Sequence, residues 1–128
     1  MDYLSSNSLL LMEKSMNFLW TKQAAISDNI ANAETPNYKA KIVTFEASLR
    51  EKLEKAMSSH TPRASSREVL EDAQYTLMTT ENSTRFDNNG VNTTEQMVEL
   101  VRNAYQLQYV MNSISTDLST LRTAINSK

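Results

Sequence analysis

The chain has 128 residues, 40% of them hydrophobic, and a net charge of -2. That leaves room for one thin core, below the roughly 45–50% apolar content of ordinary globular domains. One glycine and two prolines exclude a turn-rich β-sandwich, and mixed charges with no basic stripe exclude a nucleic-acid backbone as ligand.

Cysteine is absent, so disulfides, thiol nucleophiles and thiolate metal sites are excluded too. At the N-terminus, MDYLSSNSLLLMEK has Asp2 where a signal peptide carries Lys or Arg. The apolar run Leu9–Met12 is too short for a signal-peptide core. No stretch reaches the ~20 apolar residues of a membrane-spanning helix. Any passage out of the cytoplasm is therefore expected to leave the chain uncleaved.

Leu9, Met12, Met16, Leu19, Gln23, Ile26, Ile30 and Ala33 follow the 3-4 spacing of a heptad. They predict an N-terminal helix with one apolar seam. Gln23 interrupts that seam, and a single polar residue at such a position usually fixes register at some cost in stability. Pro36 disfavours helical geometry in Thr35, so the helix cannot continue past Thr35. Thr35-Pro36-Asn37-Tyr38 reads as a type II turn, with proline presetting the first central position and asparagine accepting the left-handed second one.

In the middle, Phe45, Leu49, Leu53 and Met57 recur every four residues and predict a short amphipathic helix from Val43 to Met57, flanked by Glu46–Arg50 and Glu51–Lys55 pairs. Residues 58–66 (SSHTPRASS) read as a polar loop, and 67–74 as one or two helical turns. Tyr75 and Leu77 alternate with polar residues and point to a strand running toward Phe86. Asp87-Asn88-Asn89-Gly90 is a strong turn.

The last third carries the clearest pattern. Met97, Leu100, Ala104, Leu107, Met111, Ile114, Leu118, Leu121 and Ile125 keep a 3-4 spacing over about four heptads. Asn92 stands at the capping position with Glu95 three residues on, and Arg122 and Lys128 lie near the far end, where a helix favours cations. The expected fold is therefore mainly α. Two long terminal heptad helices form a coiled-coil-like hairpin, with a short helix and an irregular or weakly β segment between them. Its divisions are 1–35, 36–91 and 92–128 within a single structural unit. Opposite the C-terminal seam, Val98, Arg102, Tyr105 and Tyr109 share a stripe whose composition is enriched at interface cores.

Nothing in the chain builds an active site. His60 stands alone in a polar loop, and one glycine cannot make a phosphate cradle. Asp87, Asn88 and Asn89 have half the composition of a calcium loop, but Gly90 falls too early and no Glu stands at the twelfth position. Methionines on the seams read as core filler. Neither catalysis, a cofactor nor a metal is expected.

Two motifs carry a resemblance. ANAETPNYK, with Asn29, Ala31, Asn32, Thr35, Pro36, Tyr38 and Lys39, resembles the signature that ends the first helix of the flagellar rod and hook proteins. Asn89-Gly90-Val91-Asn92 with Glu95 is similar to that family's second signature, ahead of the terminal helix. The match covers both ends, about half the chain. The resemblance implies an assembly seam through Leu9, Met16, Leu19, Ile26, Ile30, Leu100, Leu107, Met111, Ile114, Leu118, Leu121 and Ile125. Length excludes the members with large inserted β domains and leaves two short proximal-rod proteins. The intact Thr-Pro-x-Tyr-Lys resembles one of them; the other, FlgC, usually carries a longer, Arg- and Gly-containing loop. Implied with it are export through the flagellar type III apparatus without a cleaved signal, a place in the periplasmic part of the basal body, and self-association. The implied partners are FlgC-like and FliE-like rod proteins, the membrane-ring protein FliF and the rod-capping FlgJ. A cytoplasmic helical adaptor or secretion chaperone would share paired heptads, and formation of a multi-subunit ring or helix separates the two readings.

Overall fold

A computed structural model describes residues 7–60, 62–80 and 85–127, without the side chains of 46–48 and 62–63. The order is α1 (Asn7–Ala31), β1 (Lys41–Thr44), α2 (Glu46–Met57), α3 (Pro62–Glu71), β2 (Thr76–Thr79) and α4 (Thr93–Asn126). The chain is mainly helical, with long helices at both ends and a two-stranded antiparallel sheet in the middle. Among the described residues, no helix is long and apolar enough to cross a membrane.

The expected helix from Val43 starts three residues later, because Lys41-Ile42-Val43-Thr44 forms a strand. Three adjacent β-branched side chains suit a pleated, half-buried surface better than a helix. The polar loop expected over 58–66 is also corrected, since α3 begins at Pro62. Proline's fixed φ and missing N–H cost nothing in the first turn of a helix. The strand after Tyr75 is β2, confined to four residues. Its proposed continuation through 81–84 lies outside the described residues, as do the Glu46–Arg50 pair and Lys128. The Glu51–Lys55 pair forms at 2.7 Å, alongside Arg50–Glu54 at 3.2 Å.

Two compact units result. One gathers the described residues of Met1–Asn17, Glu46–Ala73 and Leu107–Lys128. In it α2 packs on α3, with Leu49, Ala56, Leu70, Ala73 and Leu107 buried. Lys14 Nζ donates to the carbonyls of Glu71 (2.9 Å) and Ala73 (3.3 Å), placing a cation at the C-terminal end of α3, where the helix dipole favours it.

The other unit comprises the described residues of Phe18–Phe45 and Gln74–Gln106. Here the second half of α1 and the first half of α4 run antiparallel. Asn103 Nδ2 donates to the Leu19 carbonyl (3.0 Å) and to Gln23 Oε1 (2.7 Å). Lys22 pairs with Glu99 at 3.0 Å, and Asn29 meets Gln96 at 3.0 Å. The Lys22 hydrogen bond holds the Glu99 carboxyl below the usual carboxylate range against the opposing effect of burial. Phe45 stacks on Phe18 with ring centroids 5.0 Å apart, which ties the end of β1 to α1.

Gln23 is thus the polar seam residue that its spacing announced, and Asn103 is its partner. Asn103 is wholly buried, and its Oδ1, like Gln106 Oε1, has no hydrogen-bond partner among the described residues. A layer of this kind selects one register while lowering stability. Asn103→Ala leaves the Gln23 carbonyl oxygen without its donor and is expected to cost about 1–3 kcal/mol. The pair Gln23→Leu with Asn103→Leu removes both polar groups and is expected to match or exceed wild-type stability. Urea unfolding of the three proteins checks both outcomes.

A joint built by two buried asparagines

The motif residues converge on one place, the end of α1. β1 has a single neighbour, β2, with Lys41 opposite Thr79. The Thr80 N–H donates to the Ala40 carbonyl at 2.9 Å, which makes Ala40–Thr80 a hydrogen-bonded pair. By the alternation of antiparallel ladders, Lys41 then turns its N–H and C=O away from β2. Asn29 takes both. Its Oδ1 accepts the Lys41 N–H at 2.8 Å and its Nδ2 donates to the Lys41 carbonyl at 2.8 Å. The second Nδ2 proton goes to Gln96 Oε1, and Tyr38 Oη reaches Oδ1 at 3.4 Å. A side-chain amide on α1 so imitates a third strand.

Asn89 does the corresponding work at the helix end. Its Nδ2 donates to the carbonyls of Asn32 (2.9 Å) and Thr35 (2.7 Å), and its Oδ1 accepts from the Val91 N–H at 2.7 Å. It thereby braces the two carbonyls of the turn that follows α1, each of which also accepts a backbone N–H within that turn. Both asparagines are at most 1% exposed. Around them Ala33, Ala40 and Val91 form a small apolar cluster with Tyr38 packed against it.

The turns match their expected chemistry in one case and differ in the other. Thr35-Pro36-Asn37-Tyr38 closes with a Tyr38 N–H to Thr35 carbonyl bond of 3.4 Å, and Asn37 has φ 59°, as a type II turn requires. The second turn falls two residues before the expected Asp87–Gly90, over Arg85–Asn88, with Asn88 at φ 60°. Gly90 is not left-handed. Its glycine is required by close approach: a Cβ there would lie 2.8 Å from Thr80 Oγ1 and 3.4 Å from the Ala40 nitrogen. Its N–H donates to the Tyr38 carbonyl at 2.9 Å.

Asn29, Asn32, Thr35, Tyr38 and Val91 are therefore brought together. Asn32 Nδ2 donates to the Asp28 carbonyl and its Oδ1 accepts from Thr35 Oγ1. Glu95 contributes through its backbone, which donates to the capping Asn92 Oδ1 at 3.3 Å. Ala31, Pro36 and Lys39 are exposed. Asn89, Gln96, Arg85 and Asn103 were not singled out individually by the sequence. Arg85 Nη1 donates to the Ala33 carbonyl at 2.8 Å. A signal existed for Asn89, since asparagine bonding the N–H two residues on is a common turn device.

The seam residues divide. On α1, Leu19 and Ile26 are buried, and Leu9, Met16 and Ile30 are half-buried. On α4, Leu100, Leu107, Ile114 and Leu121 are buried or half-buried, while Met97, Met111, Leu118 and Ile125 are 48–80% exposed. The inward partners of the first series are Gln96, Asn103, Val110 and Asp117. Val98, Arg102, Tyr105 and Tyr109 are all exposed, so no described part of the chain folds over that stripe.

The comparisons with known proteins bear on the part of the chain that carries this joint. Residues 16–39 match the family model described as flagella basal body rod protein. The matched residues run from α1 into the turn that follows it. The chain is also similar to two proteins named FlgB. Identity to the flagellar basal body rod protein FlgB of Bacillus subtilis (strain 168) is 27% over 123 residues, 95% of each chain. With FlgB of Borrelia hermsii it is 48% over 42 residues, 33% of this chain and 31% of the other.

Asn89→Ala removes three hydrogen bonds from a buried centre and is expected to cost about 3 kcal/mol. Gly90→Ala should cost about 1–3 kcal/mol through overpacking. Adding Thr80→Ala should recover most of that loss, because Thr80 Oγ1 is the atom met first. Thermal unfolding of the variants reads both, and an unrescued Gly90→Ala would place the conflict at the backbone instead.

Proposed function

We propose that the chain is a structural subunit of the proximal rod, polymerising through its terminal helices and helping connect the membrane ring and export gate to the more distal rod. The observation that carries this reading is the unused half of the α4 heptad. Met97, Ala104, Met111, Leu118 and Ile125 recur every seven residues and are all exposed. At 1.5 Å per residue they mark out about 42 Å of helix. A helix with a single partner keeps that side polar; this one keeps an apolar series at the spacing that helix-on-helix packing uses.

The partners follow from the family likeness: further copies of the chain, FlgC-like and FliE-like rod proteins, the membrane-ring protein FliF, the rod-capping FlgJ and the flagellar export apparatus. The place is the periplasmic part of the basal body, reached by export that removes no signal. The outer stripe of Val98, Arg102, Tyr105 and Tyr109 serves the same assembly.

Leu118→Asp puts a charge on the exposed series, outside the set of buried residues that make the monomer's core. Cells carrying it are expected to make the protein at the usual level, with unchanged helicity, yet to lack it in purified basal bodies and to lack the distal rod. Basal bodies of normal composition from that strain would remove the exposed series as a contact.

A further inference from the structure

The sole glycine of the chain follows an asparagine, Asn89. Asparagine is a thermolabile side chain, and a following glycine makes it most so, because no Cβ shields the glycine nitrogen. That nitrogen attacks the side-chain amide carbon, Cγ. A C–N bond closes a five-membered succinimide, and the side-chain nitrogen leaves as ammonia with the Gly90 amide proton. Water then opens the ring at either carbonyl and gives aspartate or isoaspartate. Water is the only co-reactant.

The folded joint withholds each part of this step. The attacking nitrogen is engaged, since the Gly90 N–H donates to the Tyr38 carbonyl at 2.9 Å. The leaving nitrogen is held by two carbonyls, Asn32 at 2.9 Å and Thr35 at 2.7 Å. Oδ1 is turned to the Val91 N–H at 2.7 Å, and the Asn89 N–H is itself held by Asp87 Oδ1 at 3.2 Å. At 1% exposure, Asn89 is also closed to solvent base. Its neighbours differ. Asn88 and Asn92 are exposed, but Asn89 and Thr93 follow them, and a Cβ there crowds the attacking nitrogen.

We infer that Asn89–Gly90 is a deamidation site that the fold keeps closed, so that copies left unfolded lose the joint for good and folded copies keep it. The product cannot rebuild the joint. Aspartate at 89 sets an oxygen against the Asn32 and Thr35 carbonyls, where Nδ2 now donates, and leaves acceptors facing acceptors beside a buried charge. Isoaspartate lengthens the main chain by one carbon just ahead of Gly90. There is no slack there, since even a Cβ on Gly90 meets Thr80 Oγ1 at 2.8 Å. The conversion runs one way, a chemical change of the unfolded chain that withdraws it from refolding. It stands independently of the rod assignment.

The test incubates the full chain in mildly alkaline buffer, both native and in concentrated urea. The tryptic peptide Phe86–Arg102 is followed by mass spectrometry, with fragmentation separating Asn88, Asn89 and Asn92. In urea, conversion is expected at Asn89 ahead of the other two, and Gly90→Ala is expected to slow it about tenfold. The native protein is expected to convert about tenfold more slowly than the urea sample, or slower still, because reaction waits on opening of the joint. Asn29→Ala, which releases β1 from α1, should raise the native rate and leave the urea rate unchanged. Chains aged in urea and returned to buffer should regain the wild-type thermal transition only in their unmodified fraction. Absence of conversion at Asn89 in urea, or equal rates in the two conditions, overturns the inference. So does a native rate that Asn29→Ala leaves unchanged, or a deamidated chain that recovers the wild-type transition.

Discussion

A two-stranded sheet leaves each strand with an outer edge, and here one edge is buried against a helix. Lys41 turns its N–H and C=O toward that edge, where unmet backbone groups would cost about 1–3 kcal/mol each. Asn29 meets both through one planar amide. The rest of the joint depends on this pairing. It sets β1 against α1, its remaining proton reaches Gln96 on α4, and it leaves the facing side of the helix end to Asn89. No other side chain of that length carries a donor and an acceptor in one plane, so aspartate or leucine at 29 would satisfy half the strand or none of it.

Much of this was legible in sequence. The heptad spacing announced both long helices, Pro36 with Asn37 announced the turn, and Gln23 announced a polar layer. What spacing could not give was the rotation of α4. Met97, Ala104 and Met111 look like seam residues by period alone, yet Gln96, Asn103 and Val110 face inward. A step of one residue turns a helix by about 100°, and the hydrogen bonds of Gln96 and Asn103 settle the choice. Polar partners that lie 67 and 80 residues away leave no trace in a local window. The strand at Lys41–Thr44 and the helix from Pro62 were missed for a different reason: short elements are decided by what they pack against.

The division of labour between the two faces of α4 suits the proposed function, in which a subunit first stands alone and then polymerises. Hydrogen bonds and one ion pair specify the internal register, and they do so with polar residues that add little net stability. In the proposed assembly the apolar series is left for neighbours, where burial of large side chains at roughly 1.5–3 kcal/mol each would hold the subunits together.

The central claim is that Asn29 and Asn89 make the joint a single cooperative element. Native-state amide hydrogen exchange at Lys41 and Val91 tests it directly, since each N–H is held by one of the two side chains. The expected result is slow exchange at both, at rates that match each other and that of the Gly90 amide, with Asn29→Ala accelerating all three together. Exchange at Val91 that stays slow in Asn29→Ala, or exchange at Lys41 as fast as in an open loop, would contradict it.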